Sequence, residues 1–367
     1  MSWPMVKLGD VCTINPRLPK NANPEQEVTF LAMAAVSEKG EISSQETRIL
    51  HETKKGFTYF ERGDVLLAKI TPCFENGKAT LTNNLNTQIG FGSTEFHVLR
   101  AFPDLILPEF IFYLVWNERF RIAAAKEMTG SAGQKRVSTD YLKEYKFYLP
   151  SIFEQEKIVA ALNKGYSIHR KRQQAIKLAD DFLRAKFLEM FGTPANNIHR
   201  FPTGKIRDLV DSVNYGTSAK ASIDSGEYPI LRMGNITYQG GWDFTDLKYL
   251  DLSVKEKDKF LVKEGDLLFN RTNSKELVGK TAVYEENRPM AFAGYLIRVR
   301  PNPIGNNYYI SGYLNSIHGK ITLMNMCKSI VGMANINAQE LQNIEILIPP
   351  KHLQDEYEII YKKIKKD

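Results

Sequence analysis

Leu149-Pro150-Ser151-Ile152-Phe153-Glu154-Gln155-Glu156-Lys157-Ile158-Val159 is the stretch on which the fold turns, because the chain uses it twice. At an offset of 199 it meets Ile348-Pro349-Pro350-Lys351-His352-Leu353-Gln354, so that Pro150 faces Pro349 and Gln155 faces Gln354. In each copy a short apolar run, 145–149 or 344–348, is stopped by proline, which cannot donate to a strand ladder but opens a helix well. Working outward, residues 137–150 face 336–349 at 199, and Gly63-Asp64-Val65-Leu66-Leu67 faces Gly265-Asp266-Leu267-Leu268-Phe269 at 202. Gly77-Lys78-Ala79 and Gly279-Lys280-Thr281 keep that offset, and Lys7-Leu8-Gly9-Asp10 faces Lys205-Ile206-Arg207-Asp208 at 198. Order is preserved while the offset drifts by only four residues. A period near 200 is too long for a solenoid and means two copies of one domain.

Each copy reads as mixed α/β. The runs 65–69 and 267–271 are strands leaving a Gly-Asp turn, 96–99 and 295–299 are β-rich, and 108–125 and 308–323 have helical spacing. Between the copies the texture changes. Residues 153–191 contain no proline and only Gly165, and apolar residues recur there at three- and four-residue steps until Gly192-Thr193-Pro194 supplies a stop. A helix of that length spans about 58 Å. Its apolar stripe needs a partner, and 351–367 offers one through Leu353, Tyr357, Ile360 and Ile364. The expected division is a domain at 1–150, a spacer helix at 151–194, a second domain at 195–349 and a short helix at 350–367.

The chain has 367 residues, 43% hydrophobic and 25% charged, which excludes global disorder. No apolar run is long enough to cross a membrane as a helix, and the N-terminus lacks the build of a secretory signal, so a soluble cytoplasmic protein is expected. The three cysteines are scattered and the six histidines lack ligand spacing, so no metal site is expected. The net charge of +7 is a poor argument for nucleic acid. Residues 153–191 carry eight Lys/Arg against five Asp/Glu, and 351–367 five against four, leaving about three surplus charges elsewhere.

Taken together, these features resemble the specificity subunit of type I restriction-modification systems. Two divergent target-recognition domains, each followed by a proline-led helix with Glu-Gln before an Ile-Val step, are the family's pattern, and Glu154-Gln155 with Ile158-Val159 fits it closely. The resemblance spans almost the whole chain. It implies an α/β (α+β) fold of two similar mixed domains, pseudo-twofold related, separated by long antiparallel coiled-coil helices. It also implies a non-catalytic chain that binds double-stranded DNA, each domain reading half of a bipartite target. Two modification subunits, with S-adenosylmethionine for adenine N6 methylation, and two ATP- and Mg-dependent restriction subunits would join it; the chain itself would hold no cofactor. One departure stands out: the second helix lacks a counterpart of 169–191.

Three kinds of loop are candidates for DNA contact, since Arg, Lys, Asn, Gln and Thr are the side chains that reach phosphates and base edges. The first is Arg271, Asn273 and Lys275 with the matching Lys69, Thr71, Asn76 and Lys78. The second is Gln134, Lys135 and Arg136 with the matching Lys328 and Asn335, and the third is Arg232 with Asn235. Ile158, Leu162, Ile176, Phe182, Leu183, Phe187, Leu353, Tyr357 and Ile360 are candidates for helix packing or partner docking. His169-Arg170-Lys171-Arg172 interrupts the stripe, as a solvated face or as a surface toward the DNA backbone. Catalysis finds little footing. Ser274 to Thr281 misses a phosphate-binding loop by one residue, serine in place of the first glycine, and no Asn/Asp-Pro-Pro-aromatic methyltransferase motif occurs. The competing expectations are an enzyme with a degenerate motif and a stand-alone architectural or regulatory DNA binder.

Overall fold

The computed structural model describes residues 3–131, 133–330 and 333–366. The chain divides into two compact units, Met1–Arg170 and Lys171–Asp367. In the first, one four-stranded sheet runs in the order Cys12–Ile14, Phe96–Ala101, Val65–Ala68, Ala79–Leu81, and a second runs Glu46–Ile49, Glu27–Leu31, Ile89–Gly92, Thr58–Glu61. In the second unit the corresponding orders are Val210–Tyr215, Leu296–Pro301, Leu267–Asn270, Thr281–Val283 and Lys248–Leu250, Tyr228–Leu231, Met290–Phe292, Leu261–Val262. A parallel strand pairing is repeated as well, Glu27–Leu31 on Ile89–Gly92 and Tyr228–Leu231 on Met290–Phe292. The same strand order and sense in both units is the structural form of the duplication.

The Gly-Asp turns explain why those two residue types recur. Gly63 and Gly265 adopt φ of 95° and 86°, a region that favours glycine. The following aspartate turns inward. Asp64 accepts from the backbone N–H of Glu61 at 2.7 Å and takes a forked pair from Arg100 at 2.8 Å on both arms. Asp266 does the same with Lys263 N–H at 2.9 Å and Arg300 at 2.8 and 3.0 Å. Both carboxylates are buried, so these bidentate bonds tie the residue just before one strand to the far end of its neighbour.

A helix pair covers each first sheet. Where the spacing suggested one helix at 108–125 and one at 308–323, each is broken in two: Pro108–Trp116 with Glu118–Lys126, and Asn307–Asn315 with Ile317–Met326. The breaks fall where a side chain takes over a free helix-start N–H, Asn117 accepting from Arg119 N–H and Ser316 from Gly319 N–H. Periodicity misses them because the apolar stripe runs across the break.

The long helix is continuous over Ile152–Phe191 and ends at Gly192 with φ 68°. Residues 152–170 belong to the first unit and 171–191 to the second. Its start is fixed by Gln155, fully buried, whose amide donates to Leu105 O and Pro150 O at 3.0 and 2.9 Å and whose oxygen accepts Leu107 N–H at 2.9 Å. Gln354 repeats the two donor bonds at the start of Lys351–Lys366, to Ile304 O and Pro349 O at 3.0 and 2.8 Å, while its oxygen is buried without a hydrogen-bond partner among the described residues. Within the second unit, Lys351–Lys366 packs antiparallel on the end of the long helix. Tyr357 meets Phe187 and Phe191 with ring centroids 5.3 and 5.9 Å apart, and Lys365 pairs with Asp180 at 2.6 Å. Gly312 permits this approach, since a Cβ there would lie 2.6 Å from Phe187.

Asp64→Asn removes the charge that Arg100 folds around. It should destabilise the first unit by about 3 kcal/mol, as expected when one partner of a buried pair is lost. Urea unfolding followed by tryptophan fluorescence checks this; Trp3 and Trp116 lie in that unit. A shift below about 1 kcal/mol would show that the pair is not the anchor.

Candidate nucleic-acid interface

The two clusters that the sequence kept apart, around 69–78 and 134–136, form one edge in the first unit. Thr71 N–H donates to Lys135 O at 3.0 Å, its hydroxyl donates to Gly133 O at 3.0 Å, and the Thr71 Oγ1 accepts Lys135 N–H at 3.1 Å. Val137 N–H donates to Lys69 O and Lys69 N–H to Glu95 O, at 2.9 and 2.8 Å. The second unit builds the same edge as a three-stranded sheet of Thr272–Asn273, Met333–Asn335 and Lys328–Ile330. There Ile336 N–H donates to Arg271 O and Arg271 N–H to Tyr295 O, at 2.9 and 3.0 Å. The side chains at 328–330 and 333 lie outside the described residues, so of Lys328 only the strand is placed.

Along this edge Gln134, Lys135, Asn76, Lys275 and Asn335 are exposed, and Lys69, Thr71, Arg271 and Asn273 are half-buried. The Arg271 guanidinium stands 5.0 Å over the Tyr215 ring and has no hydrogen-bond or ion-pair partner among the described residues, with Nε buried. Other nominated residues are already engaged. Arg136 forks onto Glu95 at 2.8 and 2.9 Å, and this guanidinium holds the Glu95 carboxyl below the usual carboxylate range. Lys78 donates to Met33 O at 3.3 Å, as Lys280 does to Met233 O at 2.9 Å. Asn235 is buried, accepting Arg232 N–H at 2.8 Å and donating to Asp243 O at 2.8 Å, while Arg232 pairs with Asp246 at 2.8 Å. The third cluster thus closes its own turn. It nevertheless borders, with Lys248, Asn273 and Tyr295, an open groove of about 720 Å³. Glu95, Tyr215 and Tyr295 escaped sequence reading, although pairing the copies at an offset of 200 sets Glu95 against Tyr295.

The phosphate-loop likeness dissolves on inspection. Leu277 and Val278 N–H donate to Ser274 O, and Gly279 N–H to Asn270 O, so these donors close a turn instead of facing a ligand. Lys280 is buried on a carbonyl, and desolvation lowers its pKa. Among the described residues no group of His, Cys, Asp and Glu could hold a metal, and no helix is long and apolar enough to cross a membrane.

Of the helix residues, Leu183, Phe187 and Tyr357 are buried inside the second unit. Ile158, Leu353 and Ile360 are half-buried, whereas Leu162, Ile176 and Phe182 are exposed. His169, Arg170, Lys171 and Arg172 are all exposed, with Arg170 paired to Glu41 at 3.0 Å.

The type I restriction modification DNA specificity domain matches this sequence twice, over residues 2–178 and 200–366, and the chain belongs to that family. It is 31% identical over 273 residues to the type I restriction enzyme EcoAI specificity subunit of Escherichia coli, covering 72% of this chain and 46% of that protein. The EcoEI specificity subunit of the same organism is 32% identical over 273 residues, covering 72% and 45%. The chain therefore spans about half the length of these curated relatives. A solved type I restriction-modification S subunit from M. genitalium aligns over 99% of this chain and 89% of its own, with a TM-score of 0.61 at 13% identity, a likeness of fold.

Beneath the first edge, His97 is buried. Its Nε2–H donates to Val137 O at 2.8 Å, and Nδ1 accepts from Asn15 at 3.2 Å, which requires the neutral ring. Desolvation lowers its pKa from 6.5. With the folded value below the unfolded one, its contribution is present above about pH 6.5 and is lost as the pH falls through the folded value. The stability of the first unit should therefore drop between pH 7 and 5, with a shallower slope in His97→Gln; equal slopes would contradict the assignment.

Proposed function

We propose that this chain is the DNA-reading subunit of a type I restriction-modification assembly, each unit engaging one half of a bipartite duplex target through the edge at 69–71 with 134–136, or at 271–275 with 328–330 and 333–335. The carrying observation is that one backbone arrangement is built twice and offers exposed amide and ammonium groups in both copies. Two readers on one chain set half-site separation as dimer geometry does in symmetric DNA binders. The continuous helix Ile152–Phe191 is the natural spacer between them.

In this reading the chain performs no chemistry and works in the cytoplasm. Two modification subunits bring S-adenosylmethionine and methylate adenine, which must leave the stack while the flanking duplex is held. Two restriction subunits bring ATP and Mg. Leu162, Ile176 and Phe182, with Phe153, Ile168 and Leu178, are exposed apolar residues of the long helix available to such partners. Leu183, Phe187 and Tyr357 are already enclosed.

Lys135 and Arg136 separate two roles on the edge. Lys135→Ala removes an exposed ammonium and should reduce the slope of log binding constant against log salt by about 1. Arg136→Ala releases Glu95 and weakens binding by disordering the edge as well as by losing charge. Titration of labelled duplex between about 50 and 200 mM salt checks this, and an unchanged slope in Lys135→Ala removes that residue from the interface.

A further inference from the structure

We infer that residues 95 and 295, each with the cation beside it at 69 or 271, are the base-reading pairs that make the two half-sites differ; this rests on the proposed reading of DNA by both edges. The argument is comparative within the one molecule. Where two copies share a backbone bond but not the side chains on it, the fold does not demand the difference. Lys69 N–H to Glu95 O and Arg271 N–H to Tyr295 O are the same bond in the two units, at 2.8 and 3.0 Å. The ladder beneath keeps one register, Leu67 and Leu66 against His97 and Val98, and Phe269 and Leu268 against Ile297 and Arg298, with its own buried exchanges of His97 for Ile297 and Val98 for Arg298. At the rim the chemistry diverges. The first unit presents a carboxylate flanked by Lys69 and Arg136; the second presents a tyrosine, 55% exposed, beside Arg271.

Each set suits a different base edge. The Glu95 oxygens take the Arg136 fork and still keep lone pairs, so the carboxylate can accept from an exocyclic amino group, cytosine N4 being the usual partner. Arg271 has unmet donors and a fork oriented by the Tyr215 ring, the geometry that matches guanine O6 and N7. Tyr295 and Asn273 border the groove of about 720 Å³ beside it, giving a flat face and an amide for the neighbouring step. The second copy thus offers a guanidinium, a phenol and an amide along the edge where the first offers a carboxylate between two cations.

The test is selection from a duplex library with randomised positions, using the full chain, wild type and variants. Wild type should return a bipartite consensus. Glu95→Gln should change one base in one half only, with discrimination there reduced about tenfold or more. Arg271→Gln should shift one guanine of the other half toward adenine, as glutamine's pairing preference dictates, and Tyr295→Ala should relax that half alone. The urea-unfolding midpoint of each variant, which should stay close to that of wild type, serves as the folding control. A wild-type consensus reproduced unchanged by Glu95→Gln, Arg271→Gln and Tyr295→Ala overturns the inference, as does any single variant altering both halves. Failure of wild type to select any consensus overturns the DNA-reading function itself, which keeps the two failures distinct.

Discussion

The pairing of Asp64 with Arg100, and of Asp266 with Arg300, is the constraint on which the rest depends. Each links the start of one strand to the far end of its antiparallel neighbour, with Val65 opposite Leu99 and Ala68 opposite Phe96, or Leu267 opposite Val299 and Asn270 opposite Leu296. One end of this ladder is therefore a buried bidentate ion pair. The other opens directly into Lys69 with Glu95, or Arg271 with Tyr295. A slip of one residue would turn every side chain to the opposite face and dismantle both ends together. Anchoring the buried end fixes the register, and the register fixes which side chains reach the exposed one.

This arrangement separates stability from recognition in space. The carboxylate and the apolar strand residues sit in the interior, where any change leaves a charge or a cavity. The rim carries exposed and half-buried polar residues. Such a division lets two copies of one domain drift apart in what they touch while keeping the same strand order. Gln155 and Gln354 apply the same economy to the helices: one buried amide ties the last strand, the preceding loop and the helix start.

The engaged residues show where composition misleads. Arg136, Arg232, Asn235 and Lys78 are the residue types that bind nucleic acid, yet each is occupied by a carboxylate or a carbonyl of its own unit. Glu95 and Tyr295 are not the types a search for basic patches finds, and they stand at the centre of the edges. A list of cations records potential donors; only geometry tells which of them are unspent.

The sequence by itself determined the duplication, the mixed α/β character, the Gly-Asp turns and the long helix with its stop at Gly192, because these follow from local chemistry and register that survive divergence. It placed the proline-led helix starts for the same reason. The splitting of 108–125 and 308–323 depended on side chains of Asn117 and Ser316 capturing free N–H groups, a local choice that the apolar period masks. Tertiary structure alone brought 69–71 to 133–137, and 271–273 to 334–336, across more than sixty residues of chain. Such pairing is set by a ladder anchored on a buried charge, and a charge partner so distant in sequence leaves no periodic trace.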